Sequence, residues 1–178
     1  MMQFLIAAPR SGSGKTTVTC AVLTALQRRG VDPCAFKCGP DYIDPMFHRS
    51  ALGVESHNLD LYLSAPDDTV RTLYARYAAG HGAAVCEGAM GFYDGQGLTT
   101  RASAWELANT LALPVLLVVQ PKGASITLAA ELRGLLQFRT PSRIAGILLN
   151  DCSEALYKTL RPMLEAETGL PVVGYLPH

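Results

Sequence analysis

Ala8-Pro9-Arg10-Ser11-Gly12-Ser13-Gly14-Lys15-Thr16-Thr17 is the stretch that decides the fold. It follows the apolar run Met2-Gln3-Phe4-Leu5-Ile6-Ala7 and opens a helical pattern through Val18, Val22, Leu23 and Leu26. A strand, a glycine-rich turn and a helix in that order build a phosphate cradle. Glycine lets the backbone come close to the anion, and the N–H groups at the start of the helix point at it. Ser11, Gly12, Ser13, Gly14, Lys15, Thr16 and Thr17 are therefore the candidate nucleotide-phosphate ligands, with Lys15 adding charge and the Thr16 hydroxyl placed for Mg²⁺. The common spacing G-x-x-x-x-G-K-[ST] would put a glycine at position 9, where this chain has Pro9, so the loop is a variant P-loop. A turn that merely joined strand to helix would leave the lysine at its mouth without a purpose.

Working outward, the pattern predicts repeated β-α units. Strands are expected at Phe4 to Ala8, Pro33 to Lys37, Ala83 to Glu87, Val115 to Val119, Ile144 to Leu149 and Pro171 to Gly174. Helices are expected at Thr16 to Arg29, Asp67 to Ala79, Ala102 to Leu113, Ser125 to Phe138 and Ser153 to Thr168, with Pro162 bending or restarting the last. Residues 39 to about 63 read as a loose polar segment, and Gly88 to Gly97 as a glycine-rich loop. The run Val-Leu-Leu-Val-Val at 115–119 has no alternation, as in a strand covered on both faces. The expected fold class is α/β: a mostly parallel sheet with helices on both faces.

Bulk properties narrow the function. The 178 residues suit one domain, 49% of them are apolar, and 15 basic residues balance 15 acidic ones. That balance gives no electrostatic reason to expect nucleic acid or an anionic membrane as partner. No apolar run approaches the ~18 residues of a membrane span, and the N-terminus does not read as a signal peptide. The cysteines Cys20, Cys34, Cys38, Cys86 and Cys152 are odd in number and form no C-x-x-C pair. A metal at Cys34 and Cys38 would need His48 or His57 as well, and buried reduced thiols in a cytoplasmic protein are the expectation. The chain stops at Tyr175-Leu176-Pro177-His178, just after a strand, which predicts a piece of a longer protein.

In an open parallel sheet, ligands bind where the strands end. Beyond the P-loop, the residues there are Lys37, Asp41 and Asp44, then Glu87 and the loop holding Asp94, then Asn150. A carboxylate that ends an apolar strand is placed for Mg²⁺, which suits Glu87; Asp41 or Asp44 could complete the oxygen shell with Thr16. Lys37 beside two aspartates suits a phosphate or a substrate carboxylate. Each has a plainer reading: Asp44 before Pro45 and Asp94 before Gly95 are turn formers, Lys37 could be an exposed lysine, and Asn150 could cap a helix instead of touching a base. His48, His57, His81 and His178 form no pattern and read as surface or loop residues.

Three strings carry a resemblance. Phe36-Lys37-Cys38-Gly39-Pro40-Asp41-Tyr42-Ile43-Asp44-Pro45, Asn58-Leu59-Asp60 and Glu87-Gly88-Ala89-Met90-Gly91-Phe92-Tyr93-Asp94-Gly95 are similar to those of cobyrinic acid a,c-diamide synthases, in the dethiobiotin-synthetase-like branch of P-loop proteins. The likeness runs from about Phe4 to Pro177. It implies an ATP-dependent, carbon–nitrogen bond-forming ligase with ATP and Mg²⁺ as cofactors. A carboxylate of a corrinoid acid would be phosphorylated, and ammonia would displace the phosphate. It implies Lys15, Lys37, Asp41 and Asp94 as catalytic residues, Thr16, Asp44 and Glu87 at the metal, and Asn150 at the base. It also implies ammonia from a C-terminal glutaminase domain, and none of the five cysteines sits in a G-x-C-x-G elbow.

Two departures stand out. Gln120-Pro121-Lys122-Gly123 replaces an aspartate common in the family, and Arg10 stands where partition-type ATPases carry a second lysine. Hydrogenobyrinic acid or nickel-sirohydrochlorin are alternative rings, and dethiobiotin synthesis is disfavoured by G-P-D-Y-I-D-P. A nucleotide-switched partition-type ATPase acting as a homodimer is the alternative of a different class, supported in sequence by Arg10 alone.

Overall fold

The computed structural model describes residues 1–64 and 67–178. Six of its strands and five of its helices fall where the β-α pattern places them. They are β1 (Met2–Ala7), α1 (Lys15–Arg28), β2 (Pro33–Cys38), α3 (Asp67–Ala78), β4 (Ala83–Glu87), α4 (Ala104–Thr110), β5 (Val115–Val119), α5 (Ile126–Phe138), β6 (Ile144–Leu149), α6 (Glu154–Thr168) and β7 (Val172–Tyr175). The segment expected to be loose holds two further elements, α2 (Ile43–Leu52) and β3 (Ser56–Leu59). Helix α2 escapes the pattern because it is short and turns Ile43, Met46 and Phe47 to solvent. Its Pro45 lies in the first turn, where proline is tolerated, and Gly53 at φ 65° stops it. Strand β3 has one leucine in four residues and is defined by pairing with β2.

All strand pairs are parallel, in the order β3-β2-β4-β1-β5-β6-β7. Strand β1 shows why the sheet must be covered twice. Leu5 and Ala7 pack in one core with Val70 and Tyr74 of α3, Leu107 of α4, Leu128 and Leu132 of α5, and Leu160 and Leu164 of α6. Ile6 and Ala8 pack in the other with Val18, Leu23 and Leu26 of α1. Alternate side chains of one strand thus feed opposite layers, as the unbroken apolar runs predict.

Local chemistry sets the ends. Ser103 Oγ accepts from Glu106 N at 3.2 Å and so starts α4, two residues later than expected. Ser153 Oγ caps α6 through Leu156 N at 3.3 Å, and α6 runs through Pro162 instead of restarting there. All five cysteines are free: Cys34, Cys38, Cys86 and Cys152 are buried, and Cys20 is half-buried. Burial pushes the Cys34 and Cys38 thiols up to about 11. Among the described residues no three His, Cys, Asp or Glu side chains are gathered to hold a metal, and no helix is long and apolar enough to cross a membrane.

Candidate active site

The P-loop links the end of β1 to α1, and two of its glycines are required by geometry. Gly12 and Gly14 have φ of 77° and 89°, in the left-handed region. A Cβ on Gly14 would also lie 2.1 Å from Asn150 Nδ2. Asn150, just past β6, donates from that nitrogen to Ser13 O at 3.0 Å, and Ser13 Oγ donates to Arg10 O at 2.9 Å. The loop is therefore braced from behind. Asn150 lies under the phosphate cradle rather than in the cavity the cradle faces.

Lys15 is buried, with its Nζ donating to Met90 O at 2.5 Å and to Arg10 O at 3.4 Å. Met90 presents that carbonyl from a left-handed backbone (φ 52°), an uncommon conformation for a side chain of its size. Burial pulls the Lys15 ammonium below its ordinary pKa, and the nearby Lys37 charge pulls it further.

Lys37, from β2, is 5% exposed and joins the carboxylates that the sequence proposes. Its Nζ is 2.5 Å from Asp44 Oδ2, 2.8 Å from Glu87 Oε1 and 3.8 Å from Asp41 Oδ2. Burial alone would lower its pKa, but the Glu87 charge and the bonds to Asp44 and Glu87 outweigh that and raise it. Lys37 is thus a cation held by its neighbours, not an exposed lysine. Thr16 Oγ1 donates to Glu87 Oε1 at 2.7 Å and lies 3.4 Å from Asp44 Oδ2. Glu87 is fully buried, and its Oε2 has no hydrogen-bond partner among the described residues.

Thr16, Asp44 and Glu87 offer an all-oxygen, partly anionic donor set of the kind Mg²⁺ takes when phosphates and water complete its shell. An unpartnered buried carboxylate oxygen is costly by itself and fits a cation bound against it. Two carboxylates and a hydroxyl make no closed metal cage. The arrangement therefore fits a cation that arrives with a nucleotide.

Asp41 closes a turn into α2: its Oδ1 accepts from Ile43 N at 2.9 Å, while Oδ2 faces Lys37. Ser11, Gly12, Gly14, Lys15, Thr16, Thr17, Lys37, Asp41, Asp44 and Glu87 line one cavity of about 490 Å³, together with Gly88, Ala89 and Met90. Asp94 lies outside it. Its Oδ2 accepts from Gly91 N at 3.0 Å, so it shapes the loop, and it lines an adjoining cavity with Pro9 and Arg10.

Two residues that hold the site are given no role in it by the sequence reading. Asn58 on β3 donates to Gly39 O at 2.7 Å and Asp41 O at 2.6 Å, fixing the loop that presents Asp41. His48 corrects the expectation of a surface histidine. It is fully buried on α2 one turn after Asp44, its Nδ1 is 3.1 Å from Ser56 Oγ, and its Nε2 has no partner among the described residues. Burial lowers its pKa. The packing of α2 against α1, β2 and β3, which the sequence does not announce, buries it.

The profile of the CobQ/CobB/MinD/ParA nucleotide binding domain matches residues 4–178. A cobyrinate a,c-diamide synthase of Clostridium acetobutylicum is 44% identical over 179 residues, covering 99% of this chain and 40% of that protein. The Clostridium tetani enzyme of the same name is 42% identical over 177 residues, covering 99% of this chain and 39% of its own length. A hydrogenobyrinate a,c-diamide synthase of Brucella ovis is 43% identical over 179 residues, covering 100% and 41%. The chain thus spans about two fifths of the relatives it matches. In solved structures the fold is similar to chloroplast FtsY from Physcomitrella patens, with TM-score 0.68, 15% identity, and 96% of this chain and 57% of that one covered. It is likewise similar to the signal recognition particle 54 kDa protein from Aeropyrum pernix K1 in complex with GDP, with TM-score 0.67, 16% identity, and coverage of 99% and 42%.

Proposed function

Because the chain belongs to the CobQ/CobB/MinD/ParA nucleotide-binding family, we propose that it is the ATP-using part of a ligase that amidates the a- and c-side-chain carboxylates of cobyrinic acid. The observation that carries the proposal is Lys37, buried between Asp44 and Glu87 in the cavity that also holds the P-loop lysine and threonine.

The chemistry follows from these groups. The P-loop N–H groups and Lys15 bind the ATP phosphates, and Lys15 exchanges its carbonyl partners for phosphate oxygens. Thr16, Asp44 and Glu87 would hold Mg²⁺, which would supply positive charge against the phosphates. Lys37 draws a substrate carboxylate toward the γ-phosphate, offsetting the repulsion between anions. A carboxylate oxygen attacks the γ-phosphorus, the bond to the β–γ bridging oxygen breaks, and ADP leaves. No base is required, because the nucleophile is already ionised, so catalysis is mostly positioning. Ammonia then attacks the acyl carbon, and inorganic phosphate departs to leave the amide. Asp41 or Asp94 takes the proton when ammonium must become ammonia. Asn150 braces the loop from behind and, in this reading, contacts the base where it extends beyond the phosphate cavity. The remaining three fifths of the relatives' length leave room for a glutaminase that supplies the ammonia in a cytoplasmic enzyme.

The test is ADP release with Mg²⁺-ATP and ammonium, with and without cobyrinic acid, while the ring's mass is followed. Ring-dependent ADP release with conversion of one or two carboxylates to amides is expected. Turnover indifferent to any tetrapyrrole acid would overturn the proposal. Hydrogenobyrinic acid belongs in the same assay, because a relative of equal similarity is named for it.

A further inference from the structure

Next to the phosphate cavity lies a second one, of about 550 Å³, which the chemistry above does not use. Residues 9–10 and 93–94 line it, whereas residues 11–12, 14–17 and 87–90 line the first. The wall between them is thin. Lys15 Nζ bonds the carbonyls of Met90 and Arg10, and a Cβ on Gly91 would come within 2.6 Å of Pro9 O. Met90 stands more than half exposed on top of that wall.

The second cavity is mainly apolar and its shape is fixed. Tyr93 Oη donates to Leu135 O at 2.6 Å, and the Tyr93 and Phe138 rings meet edge to face at 5.1 Å. Phe138 is 54% exposed although it helps line this cavity. Gly134 sits in the interior of α5, where glycine weakens a helix, yet a Cβ there would meet nothing within 4 Å. Packing does not demand glycine at 134, and its bareness keeps the cavity open. The groove continues past Tyr93, Asp94 and Phe138 to the fully exposed Leu98.

Charge is confined to the edge. Arg10 Nη2 lies 3.2 Å from Glu131 Oε2 with both side chains largely exposed, and Arg139 lies over the Phe138 ring at 4.0 Å. Exposed ion pairs of this kind are weak and exchange readily for another carboxylate. Asp94, the other acid on the lining, accepts from Gly91 N.

An apolar floor, a cationic edge and a thin wall to a phosphate site fit a large flat molecule with carboxylates around its rim. Building on the proposed function, we propose that this cavity seats the macrocycle of the substrate. One edge of the ring lies against Tyr93, Leu135 and Phe138 below Gly134, and a peripheral carboxylate takes Glu131's place on Arg10. The carboxylate to be activated reaches over Met90 toward Lys37. Arg10 is then a substrate-binding residue, not a counterpart of the second lysine of partition-type ATPases.

The test uses the full-length gene product with Gly134→Leu, which fills the cavity from a site with open space, and Phe138→Asp, which puts a charge on its exposed floor. The ring acid that the wild type converts is titrated in steady-state assays and, without ATP, by its visible absorbance. Both variants are expected to raise KM and Kd for the ring at least tenfold while KM for ATP moves less than twofold. Arg10→Gln is expected to raise the ring KM severalfold. Unchanged ring affinity in both cavity variants, with a wild type that amidates the ring, would overturn this assignment alone. A wild type that accepts no tetrapyrrole acid would overturn the proposed function and the ring seat together.

Discussion

At the scale of the residue, the site is a balance of opposed charges, and Lys37 is its centre. Removing one partner from a buried charged network costs about 3–5 kcal/mol, because the remaining charges are left without compensation. Lys37→Met is therefore expected to destabilise the protein by that order in Mg²⁺-free buffer, since Asp44 and Glu87 then face each other with no cation. Millimolar Mg²⁺ is expected to restore part of the loss in urea denaturation; equal loss with and without Mg²⁺ would show that these carboxylates do not bind it. His48 gives a pH dependence with a definite sign. Its folded pKa lies below the ordinary 6.5, so the stability that comes from burying the neutral ring is present above pH 6.5 and is lost as pH falls through the lowered value. Asp44, Asp41 and Glu87 favour the charged ring and Lys37 opposes it, but desolvation is the larger effect. Below pH 6.5 stability therefore falls with pH, with a slope that one proton limits to at most ~1.4 kcal/mol per unit. His48→Gln should flatten that part of the denaturation profile, and an unchanged profile would assign the slope to other groups.

At the scale of the element, the question is how the P-loop and α2 are held in place. Gly14 has both a left-handed φ and the Asn150 amide in the space of its missing Cβ. Gly14→Ala should lower ATP affinity by tenfold or more, and Asn150→Ala on top of it should return part of the loss by removing the clash while the backbone strain remains. Additive losses in that double-mutant cycle would show that the two residues do not press on each other. This brace also marks the limit of what the chain discloses on reading. The P-loop, the flanking strand and helix, and the residues at strand ends are legible because local chemistry fixes them: glycine at positive φ, a lysine at a helix start, carboxylates after apolar runs. Helix α2, strand β3, buried His48 and the Asn58 bonds to Gly39 and Asp41 are not legible. Each depends on which strands become neighbours, and β3-β2-β4 is settled by tertiary packing. Asn58→Ala should accordingly raise KM for the carboxylate substrate severalfold with little change in KM for ATP, because it frees the loop of Asp41 and leaves the P-loop braced. Equal effects on both would place Asn58 in general stability instead.

At the scale of the whole molecule, charge does its work only locally. Basic and acidic residues cancel over the chain, so no long-range field gathers anionic substrates. In the phosphate cavity itself, Lys15 and Lys37 face Asp41, Asp44 and Glu87, which leaves the ligand-free site with an excess of negative charge. On the proposed function, a polycarboxylate and a triphosphate are therefore admitted by short-range partners: P-loop N–H groups, two buried ammonium groups, the single rim contact of Arg10, and a divalent cation that would come with the nucleotide. Buried pairs are screened far less by salt than exposed ones. It follows that kcat/KM for the ring acid should change less than about threefold between 50 and 200 mM KCl at saturating Mg²⁺-ATP. A protein that gathered its substrate through a basic surface would lose far more over that range. A steep fall would show that exposed cations, Arg10 and Arg139 foremost, capture the acid before the cavity does. A flat response combined with a strong dependence on free Mg²⁺ would place the attraction in the buried network, where the sheet brings β1, β2 and β4 side by side.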